Sequence, residues 1–334
     1  MRILAAALLA AVTVSGCSAY GSEPPTVSTA SSAQHALGTG NGITTYALAN
    51  INAFPTSIAS GADGDLWVTE WQGATIAKVT PLGVITEFPM HELPFQIVRG
   101  PGKTLWFTTT RINRITTAGI IKRFSLPAGE CAKEYLTEGP DKNIWFTDSC
   151  SEKIGKMTPT GVLTEYSIPL QGNGSPTGIT TGPDGNLWFT ITGLSSDTRI
   201  GKISTAGVVT EYGPDGMDGA DQIIAGSDGN MYATDYFANA LVQVTMAGSI
   251  TLFPMPQTSF NPVSLAAGPD GRIWVMAEHR DLTRFDPTTQ TFSANIVIPE
   301  IDNRAPSGLK GITLGPDGDV WFTGGESPYV GTIL

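Results

Sequence analysis

Gly182-Pro183-Asp184-Gly185-Asn186-Leu187-Trp188-Phe189-Thr190 reads as a tight turn followed by the strand that leaves it. Pro presets φ at the second turn position, Asp can bond its own backbone, and Gly accepts positive φ. The wording returns at Gly61–Trp67, Gly100–Trp106, Gly139–Trp145, Gly226–Tyr232, Gly268–Trp274 and Gly315–Trp321. Successive leading glycines are 39, 39, 43, 44, 42 and 47 residues apart. Around the quoted stretch, Gly178 to Thr181 reads as a strand entering the turn (A) and Asn186 to Thr190 as the strand leaving it (B). Arg199 to Ile203 (C) and Gly207 to Tyr212 (D) follow. Four short strands recurring at this period predict an all-β chain, a seven-bladed β-propeller with four-stranded blades.

The last repeat stops after a third strand, Tyr329 to Ile333. The missing wording stands at the other end, in Asn41 to Tyr46, so the N-terminal strand is expected to complete the last blade and hide its edge. The expected organisation is residues 1–16 as a signal peptide, 17–41 as a tether and 42–334 as one propeller. A closed ring needs no second subunit, so a monomer is expected.

Only 15% of the 334 residues are charged, while Gly (39) and Pro (23) are abundant, which suits strands and turns rather than helices. A net charge of −11 argues against nucleic acid, whose phosphates call for a basic stripe. Met1-Arg2 and the apolar run Ile3 to Val14 form a segment too short to span a bilayer. It ends in Val14-Ser15-Gly16-Cys17, which resembles the bacterial lipobox cut before its Cys. That resemblance implies acylation of Cys17 and an extracytoplasmic, membrane-anchored protein, at the outer membrane if the host is Gram-negative, since Ser18 follows the Cys. Residues 18 to 41 are rich in Ser, Ala, Gly, Thr and Pro and read as a flexible tether. Cys131 and Cys150 remain, at the two ends of the third repeat's first strand pair. In an oxidising compartment they are expected to form a disulfide; two free thiols are the alternative.

Strand A starts and strand B ends on one face, so the loops there should line the mouth of the central channel. Phe95, Glu134, Asp221 and Lys310 stand at strand A starts; Glu70, Trp71, Arg111, Asp148, Asp235, Glu278, His279 and Glu326 are expected just past strand B ends. Carboxylates converging from several blades could hold a hard cation such as Mg²⁺ or Ca²⁺, with Glu134, Asp148, Asp221 and Asp235 as candidate ligands. They could equally be solvated loop charges. Glu278 and His279 are the candidates for acid–base work, although a lone loop histidine is commonly just solvated.

The repeats G-P-D-G-x-[LIV]-W-[FV]-T, I-G-[KR]-[IV]-T and G-x-[IV]-T-E-[FY] resemble those of the streptogramin lyase (virginiamycin B lyase) family over residues 42–334. The resemblance implies a metal-dependent propeller that opens a cyclic depsipeptide by eliminating its ester. A base removes the proton α to a carbonyl while Mg²⁺ stabilises developing charge. It also implies essential histidines directly before the Gly-Ile-Thr of strand A, with a Glu two residues ahead of one of them. This chain has Thr56, Phe95, Glu134, Thr177, Asp221, Val263 and Lys310 at the histidine position. Two residues earlier stand Phe54, Leu93, Ala132, Ser175, Gly219, Asn261 and Gly308. The motif is missing from all seven repeats. The leading expectation is therefore a propeller that binds a small molecule, peptide or partner at its channel mouth. The alternative is a metal-dependent lyase or hydrolase acting on a cyclic ester, lactone or related substrate.

Overall fold

The computed structural model describes residues 37–38, 42–127, 135–169, 174–193, 197–258, 260–299 and 308–334. Those residues form strands and turns, with no helix among them. Blade 1 is Pro55–Ser60, Leu66–Glu70, Thr75–Val79 and Ile85–Pro89; blade 2 is Ile97–Gly100, Thr104–Thr108, Ile112–Thr116 and Ile121–Phe124. Blade 3 is Leu136–Glu138, Ile144–Asp148, Lys153–Met157 and Leu163–Ser167; blade 4 is Gly174–Thr181, Leu187–Gly193, Arg199–Ile203 and Val209–Tyr212. Blade 5 is Ala220–Ala225, Met231–Asp235, Ala240–Val244 and Ile250–Pro254. In blade 6, Pro262–Ala267, Ile273–Ala277 and Asp281–Asp286 are followed by a fourth strand broken into Thr291–Phe292 and Ile296–Val297. Each blade is an antiparallel meander with strand A innermost.

Blade 7 joins the two ends of the chain. Ile312–Leu314, Val320–Thr323 and Tyr329–Ile333 supply three strands, and Ile43–Ala47 pairs along the third from Ile43↔Ile333 to Ala47↔Tyr329. Tyr46 stacks on Trp321 at 5.6 Å. The same contact is made within single blades by Phe88 on Trp67, Phe124 on Trp106, Tyr166 on Trp145 and Tyr212 on Trp188. The N-terminal strand thus stands in the fourth-strand position of blade 7, as its wording predicts.

The core is a circle of seven interfaces rather than one centre. Trp67 packs with Leu105 and Phe107 of blade 2, Trp145 with Leu187 and Phe189 of blade 4, and Trp321 with Leu66 and Val68 of blade 1. Four of the strand B tryptophans, Trp67, Trp145, Trp188 and Trp321, also have their polar edge satisfied. The turn aspartate accepts the indole N–H in Trp145–Asp141 at 2.9 Å, Trp188–Asp184 at 3.0 Å and Trp67–Asp63 at 3.3 Å. Strand C adds a cation over the ring, Lys156 at 5.1 Å from Trp145 and Lys202 at 5.0 Å from Trp188. Strands B and C trade volume as well: Phe146, Phe189 and Phe322 face Gly155, Gly201 and Gly331, whereas Val68 faces Ala77 and Ala233 faces Val242. A Cβ on Gly201 would lie 2.1 Å from the Phe189 ring, so the Gly of the Ile-Gly-Lys wording is set by the aromatic across from it.

Tyr46→Ala removes a buried aromatic from the closing strand and is expected to cost about 3–5 kcal/mol in urea unfolding, whereas Tyr46→Phe should cost well under half of that. Equal, small effects of both would show that the strand does not hold the ring shut.

Candidate functional site

A cavity of about 710 Å³ opens along the axis. Its wall is built from the first strands and their leading residues in blades 1, 2, 3, 5, 6 and 7. Successive first strands are tied together by side chains: Ser57 Oγ accepts the N–H of Ile97 at 3.2 Å, Gln96 Oε1 that of Leu136, and Gln222 Oε1 that of Leu265. Blade 4 contributes Gly178, where a Cβ would lie 2.1 Å from the carbonyl oxygen of Asp221. First strands 4 and 5 therefore approach closely. Tyr135 of blade 3 donates its hydroxyl across this point to Asp221 Oδ2 at 2.9 Å.

Trp71, Phe95, Asp221 and Lys310 all line this cavity. Phe54 joins them, edge-on to Trp71 at 5.8 Å and held at φ +47° before Pro55. Trp71 donates its backbone N–H to the Phe54 carbonyl at 3.0 Å, fixing the pair. Trp71 is 37% and Phe95 42% exposed, so blades 1 and 2 present an apolar rim to solvent. Tyr135–Asp221 and Lys310 form polar stations elsewhere on the wall.

The buried carboxylates differ from expectation. Glu70, Asp148 and Asp235 are the last residues of second strands, not loop residues past them, and all three are fully buried. Asp148 Oδ1 accepts the N–H of Ser151 at 3.2 Å; Asp235 accepts those of Asp218 at 2.7 Å and Ala238 at 3.1 Å. These two pin the following turn. Burial pushes the Asp235 carboxyl above its ordinary range, against the pull of those two N–H groups. Glu70 has no hydrogen-bond partner at either oxygen. Burial, with nearby Glu87, raises its pKa to about 8.

The other expected residues stand off the cavity wall. Glu278 accepts the hydroxyl of Tyr236 at 2.5 Å, and His279 beside it is exposed. Arg111 lies 3.8 Å from Glu92, and Glu326 is exposed near Gly308. Cys150 is disulfide-bonded; Cys131, its expected partner, and Glu134 lie outside the described residues, as does Cys17. Among the described residues no three His, Cys, Asp or Glu side chains converge. Asp221, the one carboxylate among the described wall residues, is engaged by Tyr135. A hard cation takes several oxygen ligands, and the described wall residues offer it one carboxylate.

Phe54, Tyr135, Gln96 and Gln222 were not apparent as site residues from sequence. The first carries a local signal, an aromatic before the Pro that opens strand A. The others act through bonds to another blade, which no local wording records.

Fold and site together define a closed seven-bladed propeller with an axial pocket reached past an aromatic rim. The model of the virginiamycin B lyase family matches residues 29–285 and, in a second register, 91–334. The chain belongs to that family. A virginiamycin B lyase of Nocardia farcinica is 28% identical over 118 residues, 34% of this chain and 42% of that protein, so the match spans under half of the relative's length. A streptogramin B lyase structure superposes with a TM-score of 0.77 at 25% identity, covering 87% of this chain and 97% of the other. A catalytically inactive His-to-Ala variant of virginiamycin B lyase from Staphylococcus aureus, solved with quinupristin, gives 0.75 at 27% identity, covering 87% and 99%.

Glu70 yields a test of the buried carboxylate. A raised folded-state pKa means that the folded protein holds a proton the unfolded chain releases, so stability falls as pH rises from about 4.5 towards about 8. Glu70→Gln should remove that slope and exceed wild type by up to about 5 kcal/mol at high pH, at about 1.4 kcal/mol per unit of displacement. Denaturant melts of both proteins across this range measure it, and parallel curves would refute it.

Proposed function

We propose that this chain is a ligand-binding propeller that takes an amphipathic, peptide-like molecule at its channel mouth and does not carry out the elimination typical of its family. The observation that carries the reading is the ring of residues at strand A starts, Thr56, Phe95, Glu134, Thr177, Asp221, Val263 and Lys310. It holds no histidine, hence no imidazole to remove a proton α to a carbonyl. The wall supports binding on positive grounds as well. A pocket of about 710 Å³ with an apolar rim and a few fixed polar groups has the makeup of a small-molecule site. Phe54, Trp71 and Phe95 would cover an apolar or aromatic part of the ligand. Asp221, oriented by Tyr135, would accept from an N–H or ammonium, and Lys310 would meet a carbonyl or carboxylate.

We also propose, from the wording around Cys17 and the tether after it, that the propeller works outside the cytoplasm on a lipid anchor. Cys17→Ala should move the protein from the membrane fraction to the soluble one. Retention in the membrane without Cys17 would overturn the anchor.

Incubation with a streptogramin B and Mg²⁺, followed by chromatography with mass detection, is expected to give no isobaric product, the mark of elimination, and no product heavier by one water. Either product would replace the binding reading with catalysis, by elimination or by hydrolysis respectively. In the same samples a panel of cyclic and linear peptides should include one that changes Trp fluorescence saturably, and Trp71→Ala should weaken it by about tenfold or more, the loss of an aromatic anchor. A response untouched by Trp71→Ala would remove the rim from the site.

A further inference from the structure

One place after the heads of the first strands comes a second level of the wall, where Ser57, Gln96, Tyr135, Gln222 and Ser264 all line the axial cavity. The two carboxamides, in blades 2 and 5, are held alike. Gln96 Oε1 accepts the N–H of Leu136 in blade 3, and Gln222 Oε1 that of Leu265 in blade 6. A backbone N–H can only donate, so each amide must turn its oxygen to the next blade. Its Nε2 is the end left over, a group with two hydrogens to give. Among the described residues neither Nε2 has an acceptor, and both side chains are half-buried.

The charged groups of the same wall lean the same way. Lys310, also half-buried, has no hydrogen-bond or ion-pair partner among the described residues. Arg99, near the end of the blade 2 first strand, lines the cavity too and is likewise unpaired among them. Against these stands Asp221, one oxygen of which already accepts the Tyr135 hydroxyl. The hydroxyls of Thr56 and Ser57 engage the first strand of blade 2. That of Ser264 can serve as donor or acceptor, so it selects nothing. What the described wall offers a ligand is therefore donors: two neutral amides fixed by a neighbouring blade, and two cations. A ligand that filled the pocket without acceptors would strip water from these groups and return no bond.

We propose that the ligand of the axial pocket is an acidic peptide, whose carboxylate meets Lys310 and whose carbonyls accept from the carboxamides of Gln96 and Gln222. The assignment rests on the ligand-binding reading of the same pocket and narrows its chemistry. The apolar rim of Phe54, Trp71 and Phe95 covers an aromatic side chain of that peptide, and the donors below it set the sign of the charge. Lys310 supplies the charge-assisted bond. The two glutamines supply direction, because each is turned by a bond to another blade before any ligand arrives. A cationic or purely apolar peptide of the same size fits the space but leaves these donors unanswered.

The test titrates the full chain, read by Trp fluorescence, with three capped tripeptides, acetyl-Phe-X-Phe-amide, in which X is Glu, Gln or Lys. The Glu peptide is expected to bind about tenfold more tightly than the Gln peptide, the share of one charge-assisted bond, and the Lys peptide more weakly than either. Added salt should narrow the gap, and Lys310→Met should close it. Gln96→Glu and Gln222→Glu each keep an oxygen for the next blade's N–H and lose the two donors. Each should weaken the Glu peptide about tenfold or more and favour the Lys peptide, with the Tm near that of wild type. A preference that reverses in this way is beyond a folding defect. Saturable binding of all three peptides with equal affinity, or a preference unmoved by these substitutions, would overturn the acidic ligand and leave the binding pocket standing. Silence from the three beside a response from other peptides of the panel would overturn the acidic class alone, whereas silence from every peptide would remove the pocket and this assignment together.

Discussion

Every hydrophobic interface in this molecule belongs to two blades at once, so the antiparallel pairing of Ile43–Ala47 with Tyr329–Ile333 is the contact on which the others depend. An isolated blade would leave its strand B tryptophan facing water on the side its neighbour covers. Only a complete circle satisfies all seven interfaces, and hydrogen bonds between the two ends of the chain complete it. The cost is entropic: strands far apart in sequence must meet before the last interface forms. What offsets it is the aromatic stack of Tyr46 on Trp321, together with the packing of Trp321 on Leu66 and Val68 of the next blade.

The blade plan was readable because each of its parts has a local cause. Pro, Asp and Gly in order suit a tight turn; Phe146, Phe189 and Phe322 of strand B each face a glycine; the indole edges of Trp145 and Trp188 meet the turn aspartate. The first strands were harder to read for function. Their lead residues Phe95, Asp221 and Lys310 could be placed at the mouth by counting back from the leading glycine, and they do line the pocket. Gln96, Gln222 and Tyr135 act by bonds to another blade, and a single repeat carries no trace of them. The three strand B carboxylates were misplaced for a simpler reason. Strand B runs one residue further than its Leu-Trp-Phe-Thr wording suggests, which keeps Glu70, Asp148 and Asp235 inside the sheet packing.

The same register governs chemistry. Thr56, Phe95, Asp221, Val263 and Lys310, at the heads of five first strands, all line the axial pocket although they differ in type. Glycine one place later, as at Gly178 and Gly311, lets neighbouring first strands draw together: a Cβ on Gly311 would lie 3.0 Å from Cα of Ser57. Head residues can therefore change from imidazole to hydroxyl, aromatic or carboxylate without disturbing the scaffold that presents them. Family membership accordingly says more about the wall than about what the wall does.

Because Ile43 faces Ile333 in blade 7, the two ends of the described ring lie side by side. In connectivity the propeller is nearly a circle with one nick, and the nick happens to fall between the third and fourth strands of a blade. A chain permuted to begin in any exposed B–C loop, with the present ends joined by a short C–D turn like those of the other blades, would contain the same seven interfaces. Which blade is numbered first is an accident of where the chain is opened, not a property of its energetics.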